Sequence, residues 1–276
     1  MFKCDYHTHT YFSFDGAPDS SPEALCLAAI ERGVTDLAIT DHFECNGRAD
    51  LSCPPYDADK AYEEILDAKE KYKGKINLTY GIELGQINQY PEEAQKLLRA
   101  HSYEFVICSS HNLRGAPDFC FYDFKKIFDY TSLDYVGYLF ERCLCELCES
   151  LDSCDRIDAV AHLTYMQRYC TLAGGNYDFI KHASKVEELY RKMISRDIAL
   201  EVNVSTLWRD LGFAMPDREL LSLYRDCGGR LVTVGTDSHS PEHIGECVDE
   251  GFRLLRSVGL NDVLVVRNGE KAIIKI

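Results

Sequence analysis

The stretch Asp5-Tyr6-His7-Thr8-His9-Thr10 lies at the end of the first predicted strand of the chain. That strand, at residues 2–7, is predicted to be buried. Residues i and i+2 of a strand point to the same face, so His7 and His9 project together from its end. Both can therefore give an imidazole nitrogen to one metal ion. Two residues are too few to hold a metal, so further ligands are expected from elsewhere in the chain.

Short β-branched runs alternate with longer amphipathic stretches along the sequence. Strands are predicted at residues 2–7, 36–40, 76–83, 104–109, 157–162, 199–204 and 230–235. Helical stretches are predicted to begin near Pro22, Ala58, Glu92, Asp134, Asp178, Pro216 and Pro241. Such alternation indicates a parallel sheet. With 276 residues, the chain fits a single-domain α/β fold over residues 1–276, a closed or distorted (β/α)7 barrel, better than an open sheet. Residues 263–276 are predicted to form a closing or edge hairpin around Asn268-Gly269.

Composition and charge narrow the class of function. The chain has 30 Lys and Arg against 45 Asp and Glu, a net charge of −15. This balance argues against nucleic acid as the main partner, because such binding uses a basic surface, and it favours a small-molecule substrate. The apolar runs are far shorter than the ~18 residues of a membrane helix. No secretory signal is recognised, so we expect a soluble cytoplasmic protein.

The 13 cysteines are interpreted as reduced thiols, since no export signal accompanies them. The densest group is Cys143, Cys145 and Cys148 in a helical pattern. One helix cannot aim all three at a metal, because Cys143 points roughly opposite to the other two. We interpret them as packing residues.

Histidines and carboxylates gather at the predicted carboxyl ends of strands, where active sites of parallel barrels lie. The candidates are His7, His9, Asp15, His42, Glu83, His111, His162, Asp237 and His239, with Asp41 next to His42. Each of these residues alone could be a core or turn residue. Together, however, so many histidines and carboxylates would be costly to bury without cations. A catalytic zinc takes about three protein ligands, so this set indicates two or three ions of zinc, iron or manganese. By contrast, His101, His182 and His243 are interpreted as surface residues.

The order of these motifs resembles the polymerase-and-histidinol-phosphatase (PHP) superfamily of metal-dependent phosphoesterases. The matching stretches, which run from residue 7 to residue 239, are His7-Thr8-His9, Ile39-Thr40-Asp41-His42, Gly81-Ile82-Glu83, Ser110-His111, Ala161-His162 and Gly235-Thr236-Asp237-Ser238-His239. The chain length and the stretches 162–168 and 201–209 are most similar to the stand-alone histidinol-phosphatase branch. The segment 112–115 departs from the family's usual pattern.

The resemblance implies a distorted (β/α)7 barrel with three divalent metal ions. One ion would be held by His7, His9, Glu83 and Asp237. A second would share Glu83 and add His111 and His162, and the third would take Asp15, His42 and His239. Arg168 and Arg209 resemble the arginines that hold the substrate phosphate in this family. Asp41 is expected either to orient a ligand or to cap the following turn.

The predicted function is that of a metal-dependent phosphomonoesterase, in which a metal-bound hydroxide attacks phosphorus without a phospho-enzyme intermediate. The expected substrate is L-histidinol phosphate, which would be hydrolysed to L-histidinol. If the protein is an enzyme of this superfamily with a different substrate, the alternatives are another small phosphoester, a phosphotyrosine or a nucleic-acid end. A different class of alternative is a binding module that retains its metals without turnover.

Overall fold

The computed structural model describes residues 2–47, 55–130 and 134–276. Its centre is a parallel sheet in the strand order β1-β2-β4-β5-β6-β7-β8, with β3 also paired to β4. The strands are β1 (Cys4–Asp5), β2 (Asp36–Ile39), β3 (His42–Glu44), β4 (Asn77–Gly85), β5 (Phe105–Ser109), β6 (Ala159–Val160), β7 (Ala199–Asn203) and β8 (Val232–Gly235).

Hydrogen bonds between the two edges of this sheet close it into a barrel. Tyr6 N donates to Val234 O at 2.9 Å, and Asp237 N donates to His7 O at 2.8 Å. These bonds follow directly after β1, so the first and last strands of the barrel meet where the His-x-His motif begins. The predicted (β/α)7 barrel is confirmed.

Strands β2 and β3 together occupy one strand position. Ile39 of β2 pairs with Tyr80 of β4, and His42 of β3 pairs with Glu83 of β4. The two pairs are three residues apart along each strand, so the register is continuous. The backbone departs from the ladder at Thr40, whose N–H donates to Thr8 O at 2.8 Å. This arrangement places His42 directly beside Glu83.

Helices surround the barrel and bury one face against it. They are α1 (Pro22–Glu31), α2 (Ala58–Lys71), α3 (Pro91–Ala100), α4 (Phe124–Tyr130), α5 (Asp134–Ser153), α6 (Tyr165–Leu172), α7 (Ala183–Ser195), α8 (Ser205–Trp208), α9 (Arg218–Asp226) and α10 (Val248–Ser257). The start of α1 follows its sequence signal, because Ser21 Oγ accepts from Ala24 N and Pro22 takes the first helical position. None of the described helices is long and apolar enough to cross a membrane.

Several element boundaries differ from those predicted. Strands β1 and β6 have two residues each, because their flanking residues make single bonds to a neighbour in place of a continued ladder. The helix expected near Pro216 begins at Arg218, and a 3-10 turn at Pro241–His243 precedes α10. Three short helices, α4, α6 and α8, were not predicted, since they are too short for a clear 3.6-residue pattern.

The predicted hairpin is present as β9 (Asp262–Arg267) and β10 (Glu270–Lys275). Its turn residues Asn268 and Gly269 have φ of 55° and 76°, the left-handed conformation that an Asn-Gly turn supplies. Val266 O accepts from Tyr6 OH at 3.0 Å, and Arg267 pairs with Asp36 at the start of β2. The hairpin therefore closes the amino-terminal end of the barrel and leaves the opposite end open.

Cys53 lies outside the described residues. Cys143 is buried, Cys145 is exposed and Cys148 is half-buried, so the three do not converge. The packing interpretation holds for Cys143 and is wrong for Cys145, which faces solvent.

Candidate metal centre and cleft

The carboxyl ends of the strands bring all nine candidate ligands into one centre. Seven of them are buried, while the side chain of Asp15 is 45% exposed and that of His239 is 22% exposed. Four overlapping triplets of these side chains offer atoms close enough to hold a metal ion. Their nitrogen and oxygen donors suit divalent zinc, iron or manganese.

The first set of donors surrounds the end of β1. His7 Nε2 lies 3.3 Å from Glu83 Oε2 and 3.8 Å from Asp237 Oδ1. His9 Nε2 lies 3.7 Å and 3.4 Å from the same two oxygens. Ligand atoms about 2.1 Å from a tetrahedral ion stand about 3.4 Å apart. The spacing of these four atoms therefore fits one ion.

The second set uses the other oxygen of Glu83. His111 Nε2 and His162 Nε2 lie 3.3 Å and 3.0 Å from Glu83 Oε1, and the two nitrogens are 3.4 Å apart. Oε2 therefore faces the first set and Oε1 faces the second, so the two sets share the carboxylate of Glu83.

The third set lies nearest to solvent. Asp15 Oδ1 is 3.6 Å from His42 Nε2 and 3.3 Å from His239 Nε2, and these nitrogens are 3.3 Å apart. His42 Nδ1 also lies 2.7 Å from Glu83 Oε2, so this set adjoins the first. The partial exposure of Asp15 makes it the most open of the three.

Buried atoms without partners give an independent test of the fit to metal. His7 Nε2 and His9 Nε2 are buried and have no hydrogen-bond partner in the described structure. Leaving such an atom unsatisfied costs about 1–3 kcal/mol. Both point into the first set, where a cation would satisfy them together. The residues present thus fit a bound divalent ion.

Two carboxylates accept hydrogen bonds from the nitrogens of His7 and His111 that face away from the centre. His7 Nδ1 donates to Glu201 Oε1 at 2.6 Å, and His111 Nδ1 donates to Glu44 Oε1 at 2.7 Å. Each bond fixes the ring so that Nε2 faces the centre, and each raises the basicity of that nitrogen. Neither carboxylate was predicted to have a role. For Glu201 the available signal was a charged residue inside a buried strand, which is rare unless it is paired.

Asp41 contacts the candidate ligand His9 indirectly, through Ser13. Its Oδ1 accepts from Thr10 N at 2.6 Å and from Ser13 Oγ at 2.7 Å. Ser13 Oγ in turn accepts from His9 Nδ1 at 3.1 Å. Burial raises the pKa of Asp41. The contacts favour the first of the two roles considered for Asp41, in which it orients a ligand histidine.

The charges within the centre are strongly coupled. Burial opposes ionisation of Glu83, but His7, His42 and His111 outweigh it and hold the pKa of Glu83 well below its usual range. Burial likewise opposes protonation of His42, yet Glu83 and Asp15 raise the pKa of His42 to about 9. Burial itself lowers the pKa of His9, and His239 and His42 lower it further. Glu83 is therefore ionised at neutral pH, which is the form of a carboxylate that binds metal.

A cleft of about 620 Å³ opens above this centre and contains both candidate arginines. Arg168 is buried and donates from Nη2 to Ser205 Oγ at 2.6 Å and to Asp237 Oδ2 at 2.9 Å. The guanidinium of Arg209 stacks on the ring of Trp208 at 4.0 Å. The other residues lining the cleft are Phe14, Asp15, His42, His111, Asp118, Cys120, His162, Tyr165, Tyr169, Leu172, Asp237 and His239.

The remaining histidines lie outside these sets, but two are not surface residues. The side chain of His101 is 9% exposed and pairs with Asp59. His182 is 15% exposed and pairs with Glu141. The surface interpretation of His101 and His182 is wrong, because aromatic side chains of α2 and α5, Tyr62 and Phe140, pack against the two rings.

Comparison with known proteins identifies the family. The family model of the PHP domain matches residues 5–205. The chain belongs to the PHP domain family. This PHP-domain protein is 25% identical over 268 residues to the histidinol-phosphatase of Lactococcus lactis subsp. lactis, covering 95% of this chain and 94% of that protein. It is 25% identical over 272 residues to a probable histidinol-phosphatase of Thermotoga maritima, covering 98% and 97% of the two chains.

The fold is similar to that of solved structures along nearly the whole chain. The crystal structure of histidinol phosphate phosphatase from Lactococcus lactis, complexed with zinc, L-histidinol and phosphate, matches with a TM-score of 0.80 and 22% identity. The match covers 99% of this chain and all of that chain (100%). The histidinol phosphatase from Listeria monocytogenes described as putative matches with a TM-score of 0.72 and 19% identity, covering 90% of this chain and 99% of that chain. The predicted family and fold are confirmed.

Proposed function

We propose that this PHP-domain protein is a metal-dependent phosphomonoesterase that hydrolyses L-histidinol phosphate to L-histidinol and phosphate. The observation that carries the proposal is that three sets of donor atoms, at distances that suit metal ligands, lie in one cleft with two arginines. Metal ions beside paired guanidinium groups are a common arrangement for binding a phosphoryl group.

The three donor sets would hold three divalent ions, of zinc, iron or manganese. His7, His9, Glu83 and Asp237 would hold the first ion, Glu83, His111 and His162 would hold the second, and Asp15, His42 and His239 would hold the third. When bound, such ions would supply a hydroxide nucleophile, by lowering the pKa of water to about 7, and positive charge for the phosphoryl oxygens.

The chain's own residues bind and position the ester. Arg168 and Arg209 donate planar N–H groups to the phosphate, a geometry that lysine does not reproduce. Ser205 and Asp237 hold Arg168 in place, while Glu201 and Glu44 keep the ligand rings oriented. No side-chain nucleophile is required, so we propose that no phospho-enzyme forms. Trapping a covalent phosphoryl group on the protein would contradict this step.

The choice of substrate is supported by the relatives. Those that cover nearly the whole chain are named histidinol-phosphatases, and the Lactococcus structure holds L-histidinol and phosphate. Another small phosphoester or a phosphotyrosine is the main alternative within enzymes. The net charge of −15 disfavours a nucleic-acid end. The retained set of donors disfavours a binding module without turnover, and a cytoplasmic location stays a prediction.

An activity assay separates these alternatives. Purified protein of measured metal content is tested on L-histidinol phosphate, 4-nitrophenyl phosphate and single-stranded DNA. We expect the highest kcat/KM for L-histidinol phosphate and no cleavage of DNA. Equal turnover of L-histidinol phosphate and 4-nitrophenyl phosphate would support phosphatase activity but contradict the assignment of L-histidinol phosphate as the substrate. Inactivity of the fully metallated protein on every substrate would contradict the proposed function.

A further inference from the structure

One carboxylate in the cleft belongs to none of the three donor sets. Three aspartates line the cleft, namely Asp15, Asp118 and Asp237. Asp15 and Asp237 face the metal-binding histidines, whereas Asp118 makes no ion pair in the described part of the chain. A carboxylate repels a phosphate dianion in the same cleft. Its presence is explained if the substrate carries a positive charge away from its phosphate.

Asp118 is held firmly relative to the metal centre. Its Oδ1 accepts from Cys120 N at 2.8 Å and from Tyr165 OH at 3.4 Å. The backbone of the next residue is anchored to a candidate ligand, since Phe119 N donates to His111 O at 3.0 Å. The second carboxylate oxygen of Asp118 makes no hydrogen bond with any described residue. One oxygen is thus fixed by the protein, and the other is available to a ligand.

Tyr165 sets the separation between Asp118 and the metal centre. Its ring lies 5.1 Å from the rings of His111 and of His162, and its hydroxyl reaches Asp118. Asp118 is therefore about one tyrosine side chain away from the second donor set. That span matches an amino alcohol whose phosphate lies on the metals and whose cationic group extends toward the cleft mouth.

The surroundings of Asp118 suit an organic cation. The ring of Tyr165 already stacks with the guanidinium of Arg168 at 5.4 Å, and Tyr165 OH lies 2.7 Å from Tyr169 OH. Phenol oxygens and aromatic faces both stabilise ammonium and imidazolium groups. The cleft thus combines two arginines for an anion with one carboxylate and two tyrosines for a cation.

We propose that Asp118, with Tyr165 and Tyr169 beside it, forms the subsite for the cationic part of the substrate. This subsite selects phosphate monoesters that carry an ammonium or imidazolium group over neutral alkyl or aryl phosphates. The inference rests on the proposed function and extends it, because it assigns the discrimination between esters to one carboxylate outside the metal centre.

The test compares two esters in the metallated wild type and in two variants. Asp118→Asn keeps an oxygen for Cys120 N and removes the negative charge. Asp123→Asn is the matched control: it removes a charge from the same segment, where Asp123 pairs with Lys126 at 2.9 Å and is not among the cleft-lining residues. KM and kcat are measured for L-histidinol phosphate and 4-nitrophenyl phosphate, together with inhibition of aryl phosphate hydrolysis by L-histidinol and by inorganic phosphate.

For Asp118→Asn we expect KM for L-histidinol phosphate and the inhibition constant of L-histidinol to rise about tenfold or more, the size of a lost charged hydrogen bond. KM for the aryl ester and inhibition by phosphate should stay within about twofold, and Asp123→Asn should resemble the wild type. Equal changes for both esters, or no change for either, would overturn the subsite. So would a wild type that hydrolyses the aryl ester without inhibition by L-histidinol. A wild type that hydrolyses neither ester contradicts the proposed function itself.

Discussion

At the scale of single residues, the chemistry of the centre depends on how each histidine is oriented. The ligand nitrogens of His7 and His9 are buried without hydrogen-bond partners, while their other nitrogens are occupied by Glu201 and Ser13. This division of roles within each ring is typical of metal-ligating histidines. It predicts different consequences for changing a ligand and for changing the residue behind it.

Removing a ligand should abolish activity with little loss of fold. In His7→Ala or His9→Ala, the first donor set loses one of its four atoms, so we expect bound metal to fall and hydrolysis to drop by more than about a hundredfold. Metal content by mass spectrometry and circular dichroism measure the two effects. His101→Ala is the control, since His101 lies outside the donor sets, and it should keep full metal content. Normal activity in either ligand variant would refute the assignment.

Glu201→Gln should weaken metal binding without removing a ligand. The carboxylate accepts from His7 Nδ1 at 2.6 Å and from His162 N at 2.7 Å, so a neutral amide lowers the basicity of His7. Loss of such a partner typically costs about 10–100-fold in metal affinity or activity. Competition with a chromogenic chelator measures the affinity. Unchanged affinity in this variant would show that Glu201 is only a packing residue, and Glu149→Gln on the exposed face of α5 provides the baseline.

Arg209 depends on its neighbour Trp208 for its position. Trp208 Nε1 donates to Thr236 O at 2.9 Å, and the indole stacks against Arg209 and against His243, each at 4.0 Å. Trp208→Leu removes the stacking face, so KM and the inhibition constant of phosphate should rise several-fold with metal content unchanged. Trp208→Phe should recover part of the effect. Since Trp208 is the single tryptophan of the chain, phosphate binding should also change the protein's fluorescence, and an unaltered KM in the leucine variant would contradict the role.

At the scale of elements, the residues that gather near the strand ends were predictable, whereas their partners across the barrel were not. His7 and His9 are recognisable because the i, i+2 pattern is local. Glu201 of β7 reaches His7 only because closure of the barrel brings β8, the neighbour of β7, next to β1, a long-range relation that periodicity does not encode. Asp118 was missed for another reason: residues 112–130 interrupt the strand–helix alternation with a bridge, a 3-10 turn and a short helix.

The hairpin of β9 and β10 should stabilise the barrel without affecting catalysis. Arg267 pairs through two nitrogens with the buried carboxylate of Asp36, at 2.7 Å and 2.9 Å. Arg267→Met leaves that carboxylate without its guanidinium, so we expect the free energy of unfolding to fall by about 2 kcal/mol. Chemical denaturation measures the loss, and kcat/KM should be unchanged because the pair lies at the amino-terminal end of the barrel. Arg253→Met on exposed α10 should cost less than about 0.5 kcal/mol, and equal losses in both variants would contradict the argument.

At the scale of the whole molecule, the barrel separates stability from function. The hairpin covers one end, and the donor sets occupy the other, where loops from most of the strands converge. The acidic net charge is compatible with phosphate binding because the arginines, and the cations that the donor sets would hold, make the cleft locally positive. The fold class and nine candidate ligands followed from alternation and strand-end residues. The cation subsite required the path of the chain around the cleft.

Removing and restoring metal is the most direct test of the central proposal, a phosphomonoesterase that depends on three ions. Protein stripped with a chelator is titrated with zinc or manganese, while bound metal per chain and turnover of L-histidinol phosphate are measured on the same samples. We expect negligible turnover without metal, and recovery that is complete only as the bound metal approaches three ions per chain. Full turnover by the metal-free protein, or full recovery at one ion per chain, would contradict the proposed dependence on three ions.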